Sequence, residues 1–230
     1  NTVTLTVTDV NGNSSTATAT VTVVDNIAPT AVAQNVTIYL NASGTASTTA
    51  AAVNNGSSDN CGVATLALSK TSFDCSNVGD NSVTLTVTDV NGNSSTSIAI
   101  VTVKDEVAPV AKCQNIAVYL DQSGTVSITA SQINNGSTDA CGIASISISQ
   151  TLFTAAGTYP VILTVTDVNG NSSTCSATVT VNKRPVTLVY NGDNSEQYSD
   201  QQMPSATLTD VLSGTPLSGK TITFTIGTQS

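Results

Sequence analysis

The sequence contains no histidine and no tryptophan, and aromatic residues make up only 3% of it. Without histidine the usual general base is missing, as are the Ser-His and Cys-His pairs and the commonest zinc ligand. So few aromatics leave little from which to build sugar-stacking platforms. Charge is scarce as well: 9% of the 230 residues are charged, against about 25% in an ordinary soluble domain, so Ser, Thr and Asn must form most of the surface. Six basic residues face 15 acidic ones, and a net charge of -9 argues against nucleic acid or an anionic membrane surface as partner. No run of 18 apolar residues occurs, so direct membrane insertion is not expected. The opening NTVTLTVTD has neither the charged nor the apolar region of a signal peptide, and it starts partway through a pattern that recurs. The chain therefore reads as an internal piece of something longer.

What is present is a repeat. VTLTVTDVNGNSST at Val3–Thr16 returns at Val83–Thr96, and VILTVTDVNGNSST follows at Val161–Thr174, spacings of 80 and 78 residues. Other landmarks keep that register: DNIAP at Asp25 and DEVAP at Asp105, NNGSSDNCG at Asn54 and NNGSTDACG at Asn134. A period this long implies tandem domains, not a solenoid of small units. The layout expected is the C-terminal part of a truncated repeat (1–24), two complete repeats (25–104 and 105–182), and the first part of a different module (183–230).

Within each repeat apolar residues alternate with small polar ones, as in Val83, Leu85 and Val87 against Thr84, Thr86 and Thr88. Period two over short runs marks half-buried strands. Further runs are Ile116–Leu120, Val126–Ala130, Ile143–Ile148 and Ala177–Val181, bounded by Gly, Asn, Asp or Ser. No stretch has a helical period. About seven strands in such a repeat predict an all-β chain of tandem immunoglobulin-like antiparallel β-sandwiches arranged end to end.

Three motifs carry a resemblance: D-x-x-A-P-x-A-x-C-Q-N from Asp105, N-N-G-S-x-D-x-C-G from Asn134, and V-T-D-x-N-G-N-S-S-T-C ending at Cys175. Together they resemble the hyalin-type (HYR) immunoglobulin-like repeats of Bacteroidetes giant surface adhesins, such as those of gliding flavobacteria, over residues 1–182. The last segment, with YNGD and TDVLSGTPLSGKTITFTI, resembles the bacterial immunoglobulin-like modules of large surface proteins. The resemblance implies an extracellular, cell-surface role in adhesion or filament formation, with export by the type IX route, and names no ligand.

The cysteines depart from that pattern in an informative way. Ala33 stands where Cys113 does, Ser97 where Cys175 does, and Ala155 where Cys75 does. The outer two are lost together in the first repeat and one inner member in the second. Independent pairs would lose members in that manner, so Cys113 is expected to bond Cys175 and Cys61 to bond Cys75, leaving Cys141 a free thiol. The alternative is five reduced, buried thiols. No C-x-x-C spacing supports a metal site.

Acidic residues recur at three places: the linker, the middle loop and the D-x-N-G-N hairpin. Loop order in a sandwich brings these to one pole. The first such pole would gather Asp25, Asp59, Asp89 and Asn91, and the second Asp105, Glu106, Asp139, Asp167 and Asn169. Clustered carboxylates repel unless a cation sits among them, and an all-oxygen set met outside the cell suits calcium. The competing reading is a turn, since Asn-Gly is the common hairpin dipeptide and Asp and Asn bond their own loop backbone. Lys183 and Arg184 replace the acids at the third junction, where no cation site is expected.

The N-x-S/T triplets at Asn13, Asn35, Asn55, Asn93, Asn135 and Asn171 are what chance produces in this composition, and Tyr39 and Tyr119 read as packing residues. A glycosidase pair of Asp59 and Asp89 lacks an aromatic cleft. The function expected is a non-enzymatic repeat segment of a long extracellular adhesin or adhesive filament, whose partners are neighbouring repeats of the same chain and a surface polysaccharide or host ligand. The rival readings are a carbohydrate- or protein-binding module and the noncatalytic stalk of a secreted hydrolase.

Overall fold

The computed structural model describes residues 1–192 and 205–225. The chain divides into two compact units, Asn1–Val107 and Ala108–Ser230. Each is built from β-strands whose alternating Val, Leu or Ile and Thr or Ser residues place one apolar set on a single face.

In the first unit β1 (Thr2–Thr8) and β2 (Ser14–Thr20) form a hairpin. The first complete repeat follows with β3 (Val36–Tyr39), β4 (Thr45–Ser47), α1 (Ala50–Val53), β5 (Val63–Leu68), β6 (Ser72–Asp74), β7 (Gly79–Asp89) and β8 (Ser94–Lys104). Its strands make a four-stranded sheet, β3-β8-β7-β5, and a two-stranded one, β4-β6. The long β7–β8 hairpin is thus the centre of the larger sheet. Val83, Leu85, Val87, Ala99, Val101 and Val103 point from it into the core, where Val53 and Phe73 are also buried. Full burial of one such aliphatic side chain stabilises by about 1.5 to 3 kcal/mol, so this set holds the two layers together.

The second unit repeats the plan with β9 (Ile116–Tyr119), β10 (Val126–Ser127), α2 (Ala130–Ile133), β11 (Ile143–Ile148), β12 (Leu152–Phe153), β13 (Gly157–Asp167) and β14 (Ser172–Asn182). Its sheets are β11-β13-β14-β9 and β10-β12. Ile133 from α2 and Phe153 from β12 pack in one cluster with Val161, Leu163, Val165 and Val179 of the central hairpin. A last hairpin, β15 (Val186–Tyr190) with β16 (Ala206–Asp210), completes the described strands.

The immunoglobulin-like sandwich is therefore the fold, with two departures from expectation. The short strands β3 and β9 run parallel to β8 and β14, so each larger sheet is mixed. Six strands and a one-turn helix stand where about seven strands were expected. Ala130, expected to end a strand, begins α2, because Thr129 and Gln132 form a reciprocal capping box that satisfies the first turn. A single turn has no periodicity to betray it.

Cys113 and Cys175 are bonded across the second repeat, with Cα atoms 5.9 Å apart at a sequence separation of 62. On the chain-entropy account a loop of that length stabilises by about 4 kcal/mol. The expected Cys61–Cys75 bridge does not form, and strand geometry gives the reason. Val63, just after Cys61, lies opposite Asp89 at the end of β7, whereas Cys75 lies just before Gly79 at its start. Eleven strand residues hold those ends about 33 Å apart. A disulfide needs Cα atoms within about 7 Å. Cys61 is the free thiol, while Cys75 and Cys141 are both disulfide-bonded, so the expected free thiol at Cys141 is also corrected.

Candidate functional site

The pole of the first repeat is assembled by backbone that the sequence specifies locally. Asp25 leaves the linker in an Asx turn, Oδ1 accepting from Ile27 N at 3.0 Å. Asp59 does the same in the middle loop, Oδ1 accepting from Cys61 N at 2.8 Å and Gly62 N at 3.1 Å. Backbone bonds between Thr30 and Ser58 tie linker to middle loop and so place the two acids together. Asp25, Asp59 and Cys61 each offer a ligand atom, all within 4.8 Å of one another, a group that could hold a metal ion.

The electrostatics of this group are lopsided. Asp25 Oδ2 is buried, and no conventional hydrogen-bond donor reaches it. The Cys61 thiol is pushed up in pKa, first by a weak hydrogen bond to the Asp25 side chain, then by burial and by the negative charges of Asp25, Asp59 and Asp89. Among the described residues no salt bridge offsets the negative charge gathered here, and the thiol keeps its proton at neutral pH.

Asp89, expected as a ligand, is placed otherwise. It is 2% exposed, and both its oxygens are taken: Oδ1 by Asn91 N and Asn93 N, each at 2.8 Å, and Oδ2 by Asn93 Nδ2 at 2.7 Å. Burial pushes its carboxyl up, but the bonds from Asn93, Asn91 and Gly92 outweigh that and hold it below the ordinary range. The same bonds form around Asp9 in the isolated hairpin, from Asn11 N, Asn13 N and Asn13 Nδ2. The loop is thus a self-contained turn. Asn91 joins it only by its backbone N–H; the residue that links loop to linker is Asn93, whose Nδ2 also donates to Asp25 O at 3.2 Å.

The second repeat reproduces the local turns. Asp139 Oδ1 accepts from Cys141 N and Gly142 N, and Asp167 accepts from Asn169 N, Asn171 N and Asn171 Nδ2. Asp105 caps its own linker turn through Val107 N at 3.0 Å, and Glu106 is exposed. Sequence reading missed Cys61 as a neighbour of the acids and Asn93 as the bridge. The second was signalled, since Asn13, Asn93 and Asn171 recur four residues after each hairpin Asp.

At the start of the last module the chemistry is inverted. Asp210 ends β16, is wholly buried, and caps a turn through Leu212 N and Ser213 N. Its Oδ2 pairs with Arg184 Nε, so a guanidinium from the linker meets the loop carboxylate. Burial pushes Asp210 up, and Arg184 with the two backbone donors more than reverses it. Lys183 is exposed.

No family model matches the sequence, and no curated protein matches it. Among solved structures, protocadherin gamma B7 extracellular cadherin domains 1–4 align at 14% identity over 87% of this chain and 64% of that one, with a TM-score of 0.38. Human protocadherin-24 EC1-2 aligns at 15% identity over 70% of this chain and all of its own, again at 0.38. The N-terminal Ig1-2 module of the Drosophila receptor protein tyrosine phosphatase DLAR aligns at 8% identity over 68% and 97%, at 0.21. These are extracellular domains of cadherin and immunoglobulin type.

Proposed function

We propose that this chain is a structural, non-enzymatic repeat segment of a long extracellular cell-surface adhesin or adhesive filament. The observation that supports this reading best is sameness: two complete repeats bury equivalent residues and rebuild equivalent loops, whereas loops selected for separate ligands diverge. A bonded Cys113–Cys175 pair fits an oxidising compartment. No helix among the described residues is long and apolar enough to cross a membrane. Export by the type IX route and a part in gliding motility belong to the same proposal and rest on the hyalin-type resemblance alone. The test is gold labelling of intact cells of the source organism with antibody to this chain, paired with attachment of those cells in the presence of soluble chain. Label at the surface and blocked attachment are expected; label only in lysed cells overturns the reading.

The cation we propose at the Asp25–Asp59 pole is calcium, bound weakly. The donor set is mixed: two carboxylates favour a hard cation, but calcium takes six to eight oxygens and Asp89 has none to spare, while the protonated Cys61 thiol discourages soft metals. Calorimetric titration with calcium and with magnesium tests it, and heat unaltered by Asp59→Asn would dismiss the site.

A carbohydrate-binding role has one observation in its favour. A groove of about 580 Å³ in the first repeat is lined by the exposed Tyr39 with Asn41, Thr45, Ser72, Phe73 and Asp74. Binding of surface polysaccharide that is lost in Tyr39→Ala would establish it.

A further inference from the structure

Six asparagines of this chain, Asn11, Asn55, Asn91, Asn135, Asn169 and Asn191, are each followed by glycine. With no Cβ to shield it, a glycine nitrogen can approach the side-chain carbonyl carbon of the preceding asparagine and attack it, provided its N–H is free to lose the proton. The two kinds of loop differ at that atom. In the D-x-N-G-N hairpins it is engaged: Gly12 N donates to Asp9 O at 3.1 Å, Gly92 N to Asp89 O at 3.4 Å and Gly170 N to Asp167 O at 3.4 Å. In the middle loops Gly56 and Gly136 are exposed, and no acceptor among the described residues holds either N–H. The flanking residues are tied in both kinds of loop. Asn91 N and Asn93 N bond Asp89 Oδ1, while Asn55 N donates to Val32 O at 2.9 Å and Ser57 N to Asn54 Oδ1 at 3.1 Å. Asn191 stands apart, its side-chain amide donating to Thr207 Oγ1 at 2.6 Å.

We propose that Asn55 and Asn135 are sites of spontaneous deamidation, with water as the co-reactant, and that the hairpin turns protect Asn11, Asn91 and Asn169 from the same reaction. Gly56 N gives its proton to solvent and bonds to Asn55 Cγ. The bond from Cγ to the side-chain nitrogen breaks, and that nitrogen takes a proton from solvent and leaves as ammonia. Water then opens the cyclic imide at either carbonyl, giving aspartate or, where the bond to the main-chain carbonyl breaks, isoaspartate. Each event consumes a water, releases an ammonia and turns a neutral amide into a carboxylate, with no change of oxidation state.

The position of Asn55 gives the conversion a consequence. Isoaspartate routes the main chain through the former side chain and so adds a backbone atom between Asn55 and Gly56. Ties of loop to linker lie on both sides of that point: Asn55 N to Val32 O before it, and after it Val32 N to Ser57 Oγ at 2.9 Å and the paired backbone bonds of Thr30 and Ser58. These ties carry Asp59 to Asp25, and a lengthened loop cannot keep them all. The second repeat has the same arrangement, Asn135 N donating to Lys112 O at 2.8 Å and Lys112 N to Ser137 Oγ at 2.9 Å. The modification depends on neither adhesion nor calcium.

The experiment holds the full chain at mildly alkaline pH, folded and in urea, and follows each asparagine by fragmentation mass spectrometry with enzymatic methylation of isoaspartate as a second readout. In the folded chain Asn55 and Asn135 should convert about fivefold faster than Asn91 and Asn169, the effect of one hydrogen bond on a rate. In urea all four should converge. Equal rates in the folded chain overturn the proposal, and so does a difference that persists in urea, which would assign it to local sequence. Asp9→Ala removes the carboxylate that closes an exposed hairpin turn and should bring Asn11 toward the rate of Asn55; an unchanged Asn11 refutes the protection. In the isoaspartate fraction the amides of Thr30, Val32 and Asn55 should exchange with solvent faster than in fresh chain, and in Asn55→Asp, which adds the charge without the extra atom, they should stay slow. Exchange unaltered by conversion would sever the modification from the placement of Asp59.

Discussion

The first repeat and the last module each aim a buried carboxylate at the pole where the chain enters, and they neutralise it differently. At Asp25 and Asp59 the side chains accept backbone N–H bonds from their own turns and share a thiol that retains its proton. At Asp210 the linker itself delivers Arg184. A carboxylate removed from water must find a positive partner or several donors, or else give up its charge. The last module carries its cation in the sequence; the grouped acids of the first repeat could hold one from solution. The exchange of acidic for basic residues in the linker, Asp105 and Glu106 giving way in register to Lys183 and Arg184, is the covalent record of that difference.

The comparison breaks most severely if the internal cation is removed. Arg184→Met leaves Asp210 buried without its charge partner, and the last module is expected to lose its cooperative melting transition while residues 25–182 melt as before. Arg184→Met with Asp210→Asn should recover much of the loss, and a calorimetric scan in which the single variant melts like wild type would remove Arg184 from the account.

A smaller effect is expected from calcium. Saturation at a hundred times the dissociation constant stabilises by about 2.7 kcal/mol. This should raise the melting temperature of Asn1–Val107 and leave the Arg184–Asp210 module where it was. Asp25→Asn should abolish the response and, in chelator, make the first repeat more stable than wild type, because it removes one of two facing negative charges. Differential scanning calorimetry with calcium and then with chelator measures both.

Thiol chemistry sharpens the contrast further. With its pKa raised by Asp25, burial and the surrounding acids, Cys61 should alkylate slowly at pH 8 and faster after Asp25→Asn. Calcium should also accelerate the reaction of the wild-type chain, by offsetting the charges that hold the proton on sulfur. A rate indifferent to both would show that the thiol does not sense these acids.

The smallest effect lies away from either pole. Asp121 is drawn down to about 2 by bonds from the Ser123 hydroxyl, Thr125 N and other donors in the turn after β9. A carboxyl depressed on folding contributes stability above its unfolded value of 3.8 and loses it as pH falls toward 2. Asp121→Asn should therefore flatten the pH dependence of the second repeat between about pH 4 and 2, read from urea midpoints.

Much of this fold is legible in the sequence because strand pairing exposes period two directly: Val83, Leu85 and Val87 announce a buried face. The capping turns of α1 and α2 are too short to announce anything, and the parallel pairing of β3 is set by the tertiary hairpin, not by its own four residues. At the site, the convergence of Asp25 with Asp59 followed from loop order. The saturation of Asp89 did not, because it depends on an amide four residues away folding back to the carboxylate. Of the two expected cysteine pairs, Cys113–Cys175 forms, and Cys61–Cys75 fails for a metrical reason. Patterns of loss between repeats carry no distances, whereas β7 is a rigid ruler between Cys61 and Cys75.

The placement of the long hairpin has a consequence in time. In each repeat the two central strands of the larger sheet are the last to be synthesised, β7–β8 after β3 to β6 and β13–β14 after β9 to β12. A chain delivered amino end first offers only short strands and one-turn helices until about its final third arrives, and the local Asx turn then zips that third shut. Each repeat is thus threadable for most of its passage and closes abruptly at the end, so that folding proceeds one whole repeat at a time behind the moving chain.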